Sequence, residues 1–322
     1  MKYTSCPLYE LQSKKLLKHL LGINDNNLLK QSYVAGLISP YIDHSTKPRL
    51  IEPPKHNLKN IQRKIKKLLG RITVPDYVFS GTKGRSYVEN AKYHRGENKR
   101  QLFKIDLTAF FPSISRDTVF QFFKNDMLCS SDIATILTNF TTVDINKTNA
   151  KNTDEICSFL ESKNINCKNH LISGAPTSQI LSYLVNHKMF DEMRELSIKN
   201  NIVMTVYVDD VTFSSESNIS QRFKEQVCKI ITKYHYQISK RKVKTYTRAY
   251  PKLVTGVIID SQGQLKIKNS LGLKIMKEYE YFRNNPNDIN SLQRLKGLLI
   301  AARQINKDAF STIYNYSFCR NS

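Results

Sequence analysis

Val203-Met204-Thr205-Val206-Tyr207-Val208-Asp209-Asp210-Val211-Thr212-Phe213-Ser214 is the stretch that decides how this chain is read. Two adjacent carboxylates stand at the crest of an apolar, β-branched run. Both flanks alternate and favour strand, so the segment predicts a hairpin with the Asp pair at its tight turn. Burying one carboxylate is costly, and a second beside it adds repulsion. A cation offsets that repulsion, and Mg²⁺ is the usual one where carboxylates also face phosphates. A third carboxylate, Asp106, lies in another strand-like run, Leu102-Phe103-Lys104-Ile105-Asp106-Leu107. One Asp on a strand beside two on a strand turn is the arrangement that two-metal phosphoryl transfer needs. For an isolated Asp pair the plainer reading is a polar turn. Asp106 and the basic composition weigh against it.

A chain of 322 residues with 40% hydrophobic content is long enough for a sizeable core and two or three subdomains. It carries 50 Lys and Arg against 27 Asp and Glu, a net charge of +23. The excess predicts a polyanionic partner, nucleic acid ahead of a membrane surface. No apolar run approaches the length of a spanning helix, and the N-terminus lacks a signal-peptide core. The expectation is a cytoplasmic protein without a membrane partner. Cys6, Cys129, Cys157, Cys167, Cys228 and Cys319 are scattered without a C-x-x-C pair and read as reduced thiols. Cys167 and His170 have the spacing of half a zinc site, but no second pair completes it.

Along the chain, hydrophobic periodicity predicts an amphipathic helix over 8–21 and a second ending before Pro40. A hairpin follows over 41–54, turning near 45–48, and then a basic amphipathic helix over 55–71. A strand is expected over 101–107 and a helix from about Asp117. The polar, Asn-rich stretch 141–169 reads as a peripheral insertion with mobile parts and a short helix near 154–160. Helices over 177–196 and 218–234 flank the Asp-Asp hairpin. A strand pair is expected over 243–267, and three short helices over 270–318.

Five short motifs then fall in one order. They are Asn90-Ala91-Lys92-Tyr93-His94, Asp106 with Phe110-Phe111, Gly174-Ala175-Pro176-Thr177-Ser178, Tyr207-Val208-Asp209-Asp210 and Val254-Thr255-Gly256. Together, over roughly residues 40–318, they resemble the bacterial retron reverse transcriptases. The resemblance implies an α+β right-hand polymerase with fingers, an antiparallel palm sheet and a helical thumb. It divides the chain into an N-terminal helical extension (1–40), fingers (41–100), palm with interleaved fingers elements (101–258) and thumb (259–322). On this resemblance, no RNase H or integrase domain is expected within 322 residues.

The resemblance also implies roles. Asp106, Asp209 and Asp210 would be catalytic and, with Leu107, would hold two Mg²⁺ ions, with Mn²⁺ as a possible substitute. Lys47, Arg49, Phe110, Phe111, Ser173, Gly174 and Lys242 would form the dNTP site. Phe111 would be the steric gate against a 2′-OH, with one of Phe110 and Phe111 core. Lys47 reads equally as a solvated turn residue, and Lys242 as a general acid or a backbone-phosphate contact. Asn90, His94, Lys64, Lys67, Tyr207, Lys240, Arg241, Lys244, Thr255 and Gly256 would contact nucleic acid, although for Asn90 and His94 the reading as satisfied core residues stands slightly ahead. The chain departs from the family pattern at Ser173, where Gln is usual, at Gln179, where Pro is common, and at Val208, where Ala is usual. These departures bear on nucleotide affinity and fidelity.

The segment 233–252 has seven Lys or Arg, no acid, and Tyr234, Tyr236, Tyr246 and Tyr250 interleaved. Lysines neutralise phosphates and tyrosines stack on bases. By resemblance, the partners are a cognate structured noncoding RNA of the msr-msd type, its small single-stranded DNA product (msDNA), dNTPs and a nearby-encoded effector protein in antiphage defence. Priming would start from an internal 2′-OH. Two other readings stand beside this one: a group II intron-like or other bacterial reverse transcriptase, and a catalytically idle RNA-binding scaffold that restrains a toxin.

Overall fold

The computed structural model describes residues 1–96 and 99–318, apart from the side chain of Lys240. Near the N-terminus, α1 (Lys14–Leu21) starts on the Ser13 side chain and stops at Gly22 with φ of 60°. A left-handed residue there ends the helix without a Cβ penalty. After α2 (Gln31–Ala35) come the hairpin strands β1 (Tyr41–Asp43) and β2 (Arg49–Ile51), then the basic helix α3 (His56–Leu69). The stripe Leu58, Ile61, Ile65, Leu68 and Leu69 is buried and the lysines between face outward, as 3.6-residue periodicity requires. Helix α4 (Tyr87–Tyr93), strand β3 (Gln101–Asp106) and helices α5 (Phe110–Ser113), α6 (Arg116–Gln121) and α7 (Ser131–Thr141) follow.

Next are β4 (Thr142–Asp144), α8 (Thr153–Glu161), β5 (Asn169–Leu171), α9 (Ser178–Leu184) and α10 (His187–Lys199). The single helix expected over 177–196 is therefore two, broken at Val185-Asn186. The hairpin β6 (Val203–Tyr207) and β7 (Asp210–Ser215) leads to α11 (Gln221–Lys233) and β8 (Lys244–Tyr246). Strands β9 (Lys252–Val254), β10 (Val257–Ile259) and β11 (Leu265–Ile267) precede α12 (Asn269–Asn284), α13 (Ile289–Ile305) and α14 (Ser311–Phe318).

The central antiparallel sheet has the order β6-β7-β3-β8. Register makes Asp106 the direct partner of Asp210, Lys104 of Thr212 and Leu102 of Ser214. Because side chains alternate across a strand, the sheet has two unlike faces. Phe103, Ile105, Met204, Val206, Val211 and Phe213 lie on one, buried against the main core. Phe103 stacks on Phe213, and Phe213 meets Phe223 of α11 edge to face. The other face carries Lys104, Asp106, Thr205, Asp210, Thr212 and Ser214.

Two expectations need correction. The stretch 141–169 is not peripheral to the core. β4 pairs with β5 at its base, and Val143, Ile145, Ile156, Leu160 and Ile165 are buried in the main core. Polar composition hid a sparse apolar set that is enough to anchor it. The strand pair expected over 243–267 is instead one strand joined to the central sheet and a separate three-stranded sheet, β11-β10-β9. Two smaller clusters complete the core: one joins α4, Leu102, β9, β10 and Ile305, and the other lies among α12, α13 and α14. Cys6, Cys129, Cys157, Cys167 and Cys228 are free thiols; Cys319 lies outside the described residues. No described helix is long and apolar enough to cross a membrane.

Candidate active site

The polar face of the central sheet gathers the three carboxylates at one end. Asp106 closes β3 directly opposite Asp210, the first residue of β7. Asp209 occupies the two-residue turn between β6 and β7, and its carbonyl accepts from the Leu107 N–H at 2.9 Å. The other turn residue, Val208, has φ of 59°. Such a turn twists with its strands but needs positive φ, which costs a β-branched residue roughly 1–2 kcal/mol. The Ser80 hydroxyl accepts from the Val208 N–H at 3.0 Å and helps hold this turn. The segment 77–80 covers the β6 edge, with Val206 N–H donating to Tyr77 O and Phe79 N–H to Val206 O.

The electrostatics are those of crowded carboxylates. Burial, then the charge of Asp106, pushes the Asp209 carboxyl up to about 6. Burial also raises Asp210, against the opposing pull of Lys104. Two lysines balance the charge. The Lys242 ammonium donates to both Asp106 oxygens, at 2.5 and 2.7 Å. Lys104, two residues before Asp106 and thus on the same face, forms an ion pair with Asp210. Backbone bonds deliver Lys242: Ser239 N–H donates to Asp106 O, and Lys242 N–H to Ser239 O.

Among the described residues, no group of three or more His, Cys, Asp or Glu closes into a ready ligand cluster. Lysines pair with two of the three carboxylates, Lys242 with Asp106 and Lys104 with Asp210. The donor set still fits a hard divalent cation, being all-oxygen and bearing a repulsion that raises Asp209.

A profile of the family described as reverse transcriptase (RNA-dependent DNA polymerase) matches residues 39–278. The chain belongs to the reverse transcriptase family. The retron Se72 reverse transcriptase of Salmonella heidelberg (strain 579083-10) is 29% identical over 186 residues, 58% of this chain and 42% of that protein. The retron Ec83 reverse transcriptase of Escherichia coli is 26% identical over 258 residues, 77% of each chain. The chain thus spans under half of the first relative and about three quarters of the second. A telomerase structure from Candida albicans has a TM-score of 0.48 at 12% identity, covering 87% of this chain and 56% of that one.

The family's antiparallel palm sheet is therefore β6-β7-β3-β8. Phe110, expected beside the nucleotide, is instead core: it packs edge to face against Phe190 and Tyr236. Phe111 stacks on it and remains half-buried, so of the two rings it is the one partly accessible. Gly174 has φ of 94°, and a Cβ there would meet nothing within 4 Å. Backbone conformation rather than crowding calls for glycine at this position. Ser173 is half-buried and Tyr207 half-buried, while Lys47, Arg49, Lys67, Arg241, Lys242, Lys244 and Gly256 are exposed. The side chain of Lys240 lies outside the described residues.

Three expected nucleic-acid contacts are engaged within the protein. Lys64 donates to Leu21 O at 2.9 Å, capping the C-terminal end of α1. His94 is buried, and its two ring nitrogens meet Ser214 Oγ at 2.8 Å and Thr205 Oγ1 at 2.7 Å. Burial first, with Arg100 and Lys104 nearby, pushes it down to about 3. The neutral ring donates to one hydroxyl and accepts from the other. Asn90 is buried too, and its amide reaches Thr255 Oγ1 at 3.4 Å. Thr255 and Gly256 form the β9–β10 turn, with φ of 44° and 90°. The Asn-Ala-x-x-His and Val-Thr-Gly motifs therefore touch: Asn90 of α4 reaches the turn, and His94, just past the end of α4, reaches the hydroxyls of β6 and β7.

Sequence reasoning missed Lys104, Ser80 and Glu52, whose carboxylate accepts from the Ser173 N–H at 2.6 Å. Lys104 was legible in principle, since i and i+2 share a strand face. The other two act through partners far away in the chain.

Proposed function

We propose that this chain is a retron-type RNA-directed DNA polymerase. It would copy part of a cognate structured noncoding RNA into a small single-stranded DNA that stays linked to the RNA, primed from an internal 2′-OH. The reading rests most on one observation: Asp106 directly opposite Asp210 across adjacent strands, with Asp209 beside it in the β6–β7 turn. Asp106, Asp209, Asp210 and the Leu107 carbonyl would hold two Mg²⁺ ions, or Mn²⁺ in their place. Bound there, the ions would lower the pKa of the attacking hydroxyl and stabilise the leaving pyrophosphate.

The chain's own residues do the rest. Lys242 is within reach of Asp106 on an exposed stem, so it can shift from the carboxylate to a phosphate and donate a proton or a hydrogen bond. Phe111 lies under the sugar and clashes with a 2′-OH, favouring dNTPs. Gly174 leaves room for the nucleotide, and Lys47 and Arg49 meet its triphosphate from the exposed hairpin. Lys67, Arg241 and Lys244 follow the backbone of the template–product duplex by phosphate neutralisation. In this reading residues 1–40 are an extension, 41–100 fingers, 101–258 palm and 259–322 thumb. The protein works in the bacterial cytoplasm beside an effector in antiphage defence.

The test is to recover nucleic acid co-purified with the protein from its native locus, beside an Asp209→Asn/Asp210→Asn version. A small discrete DNA, joined to an RNase-resistant stub and present only with the intact Asp pair, is expected. Structured RNA without DNA from either version would instead favour an idle RNA-binding scaffold.

A further inference from the structure

Glu52 and His170 form a fully buried pair, with Glu52 Oε1 at 2.9 Å from His170 Nε2 and no exposure of either side chain. Burying such a pair is expensive, and it persists only when its remaining polar atoms are also satisfied. They are. Glu52 Oε2 accepts from the Ser173 N–H at 2.6 Å, and the Glu52 N–H donates to Ser173 O at 3.0 Å. The other ring nitrogen, His170 Nδ1, lies 3.3 Å from Cys167 O. One carboxylate thus binds a histidine of β5 and, through backbone and side chain together, the residue before Gly174.

The position of Glu52 gives this contact its meaning. It directly follows β2, whose first residue is Arg49, and Lys47 lies in the hairpin turn. Two prolines follow it, so the chain there is stiff and extended. On the other side, Ser173 adjoins Gly174, and His170 anchors the base of the 141–169 stretch. An exposed contact of the same hairpin, His44 Nε2 to Glu155 Oε1 at 2.7 Å, reaches α8 of that stretch. Solvent screening makes such an exposed pair worth little, so the buried pair is the main tie.

We propose that the Glu52–His170 pair is a positioning device that locks the Lys47/Arg49 hairpin to the Ser173-Gly174 loop as two walls of one nucleotide site. The nucleotide role rests on the polymerase reading above; the tie itself does not. It also gives the 141–169 stretch a task, because β4 of that stretch pairs with β5, and Val143 lies directly opposite the histidine that backs the tie. Gln at position 52 keeps an acceptor for the Ser173 N–H and presents its amide group to His170 Nε2. Ala at that position leaves both unpaired.

Hydrogen exchange and kinetics test this on the full chain and on Glu52→Ala and Glu52→Gln. The wild-type Ser173 amide is expected to exchange far more slowly than an open loop amide. In Glu52→Ala, peptides over 41–54 and 168–176 lose protection by at least about tenfold. On oligo(dT)-primed poly(rA), that variant raises the KM for dTTP about tenfold and changes kcat by less than about threefold. Glu52→Gln stays near wild type in both measurements. Free exchange at Ser173 in the wild type overturns the tie, even if Glu52→Ala does not fold. Equal loss of kcat in both variants at unchanged KM overturns the positioning role. A wild type that incorporates no dTTP yet protects Ser173 strikes the polymerase reading and the nucleotide role, and leaves the tie standing.

Discussion

Replacing Asp209 by Asn should destroy synthesis and, in metal-free buffer, make the protein more stable. Burial and the charge of Asp106 raise this carboxyl from 3.8 to about 6. Its ionised form is therefore disfavoured in the folded state. A raised carboxyl costs stability at any pH above its folded value, because the unfolded chain ionises more readily. At about 1.4 kcal/mol per pH unit, the penalty is about 3 kcal/mol at pH 8. As pH falls through 6 the folded carboxyl takes up its proton, and by pH 4.5 only about 1 kcal/mol remains. Asn never ionises and escapes the penalty. Urea unfolding in EDTA should therefore place Asp209→Asn about 3 kcal/mol above wild type at pH 8 and converge with it on acidification. Millimolar Mg²⁺ should stabilise the wild type and narrow the gap, since an ion that binds only the folded state adds stability by mass action. Equal stability of the two proteins at pH 8 in EDTA would refute the reasoning, whatever the variant's activity.

His94→Ala removes the partner of two buried palm hydroxyls; unfolding should show a loss of about 3 kcal/mol, while the RNA affinity of the folded fraction changes less than about threefold. Gly174→Ala forces a Cβ onto a residue with φ of 94°. It should cost about 1–2 kcal/mol and raise the dNTP KM in steady-state incorporation. Phe111→Ala should relax the preference for dNTPs over rNTPs by at least about tenfold, measured by single-nucleotide incorporation. An unchanged ratio would remove Phe111 from the gate and leave it a packing residue of Phe110.

Much of the carboxylate-bearing face was legible because strands carry their own code. Alternation in Leu102–Leu107 and Val203–Ser214 marks which side chains share a face, and an Asp pair between β-branched runs marks a turn. Helix α3 was legible for a similar reason, its apolar stripe repeating with the helical period. The stretch 141–169 was misread as peripheral because five well-spaced apolar residues anchor it, and only Ile156 and Leu160 carry a helical spacing. The fate of Asn90 and His94 was open because a polar residue on a short helix reads the same whether it meets RNA or a buried hydroxyl. Only the packing of α4 on the palm shows that both turn inward.

By itself, the sequence determined the chemistry available here: three carboxylates on strand-like runs, an excess of positive charge, and glycines where the backbone turns left-handed. These are local properties, set by residue type and spacing. Tertiary structure alone decided who faces whom. It set Asp106 against Asp210, delivered Lys242 and Lys104 to the carboxylates, and joined Glu52 to His170 and Ser173 across more than a hundred residues. Such contacts depend on how elements pack, and no short-range pattern in the chain encodes a partner so distant.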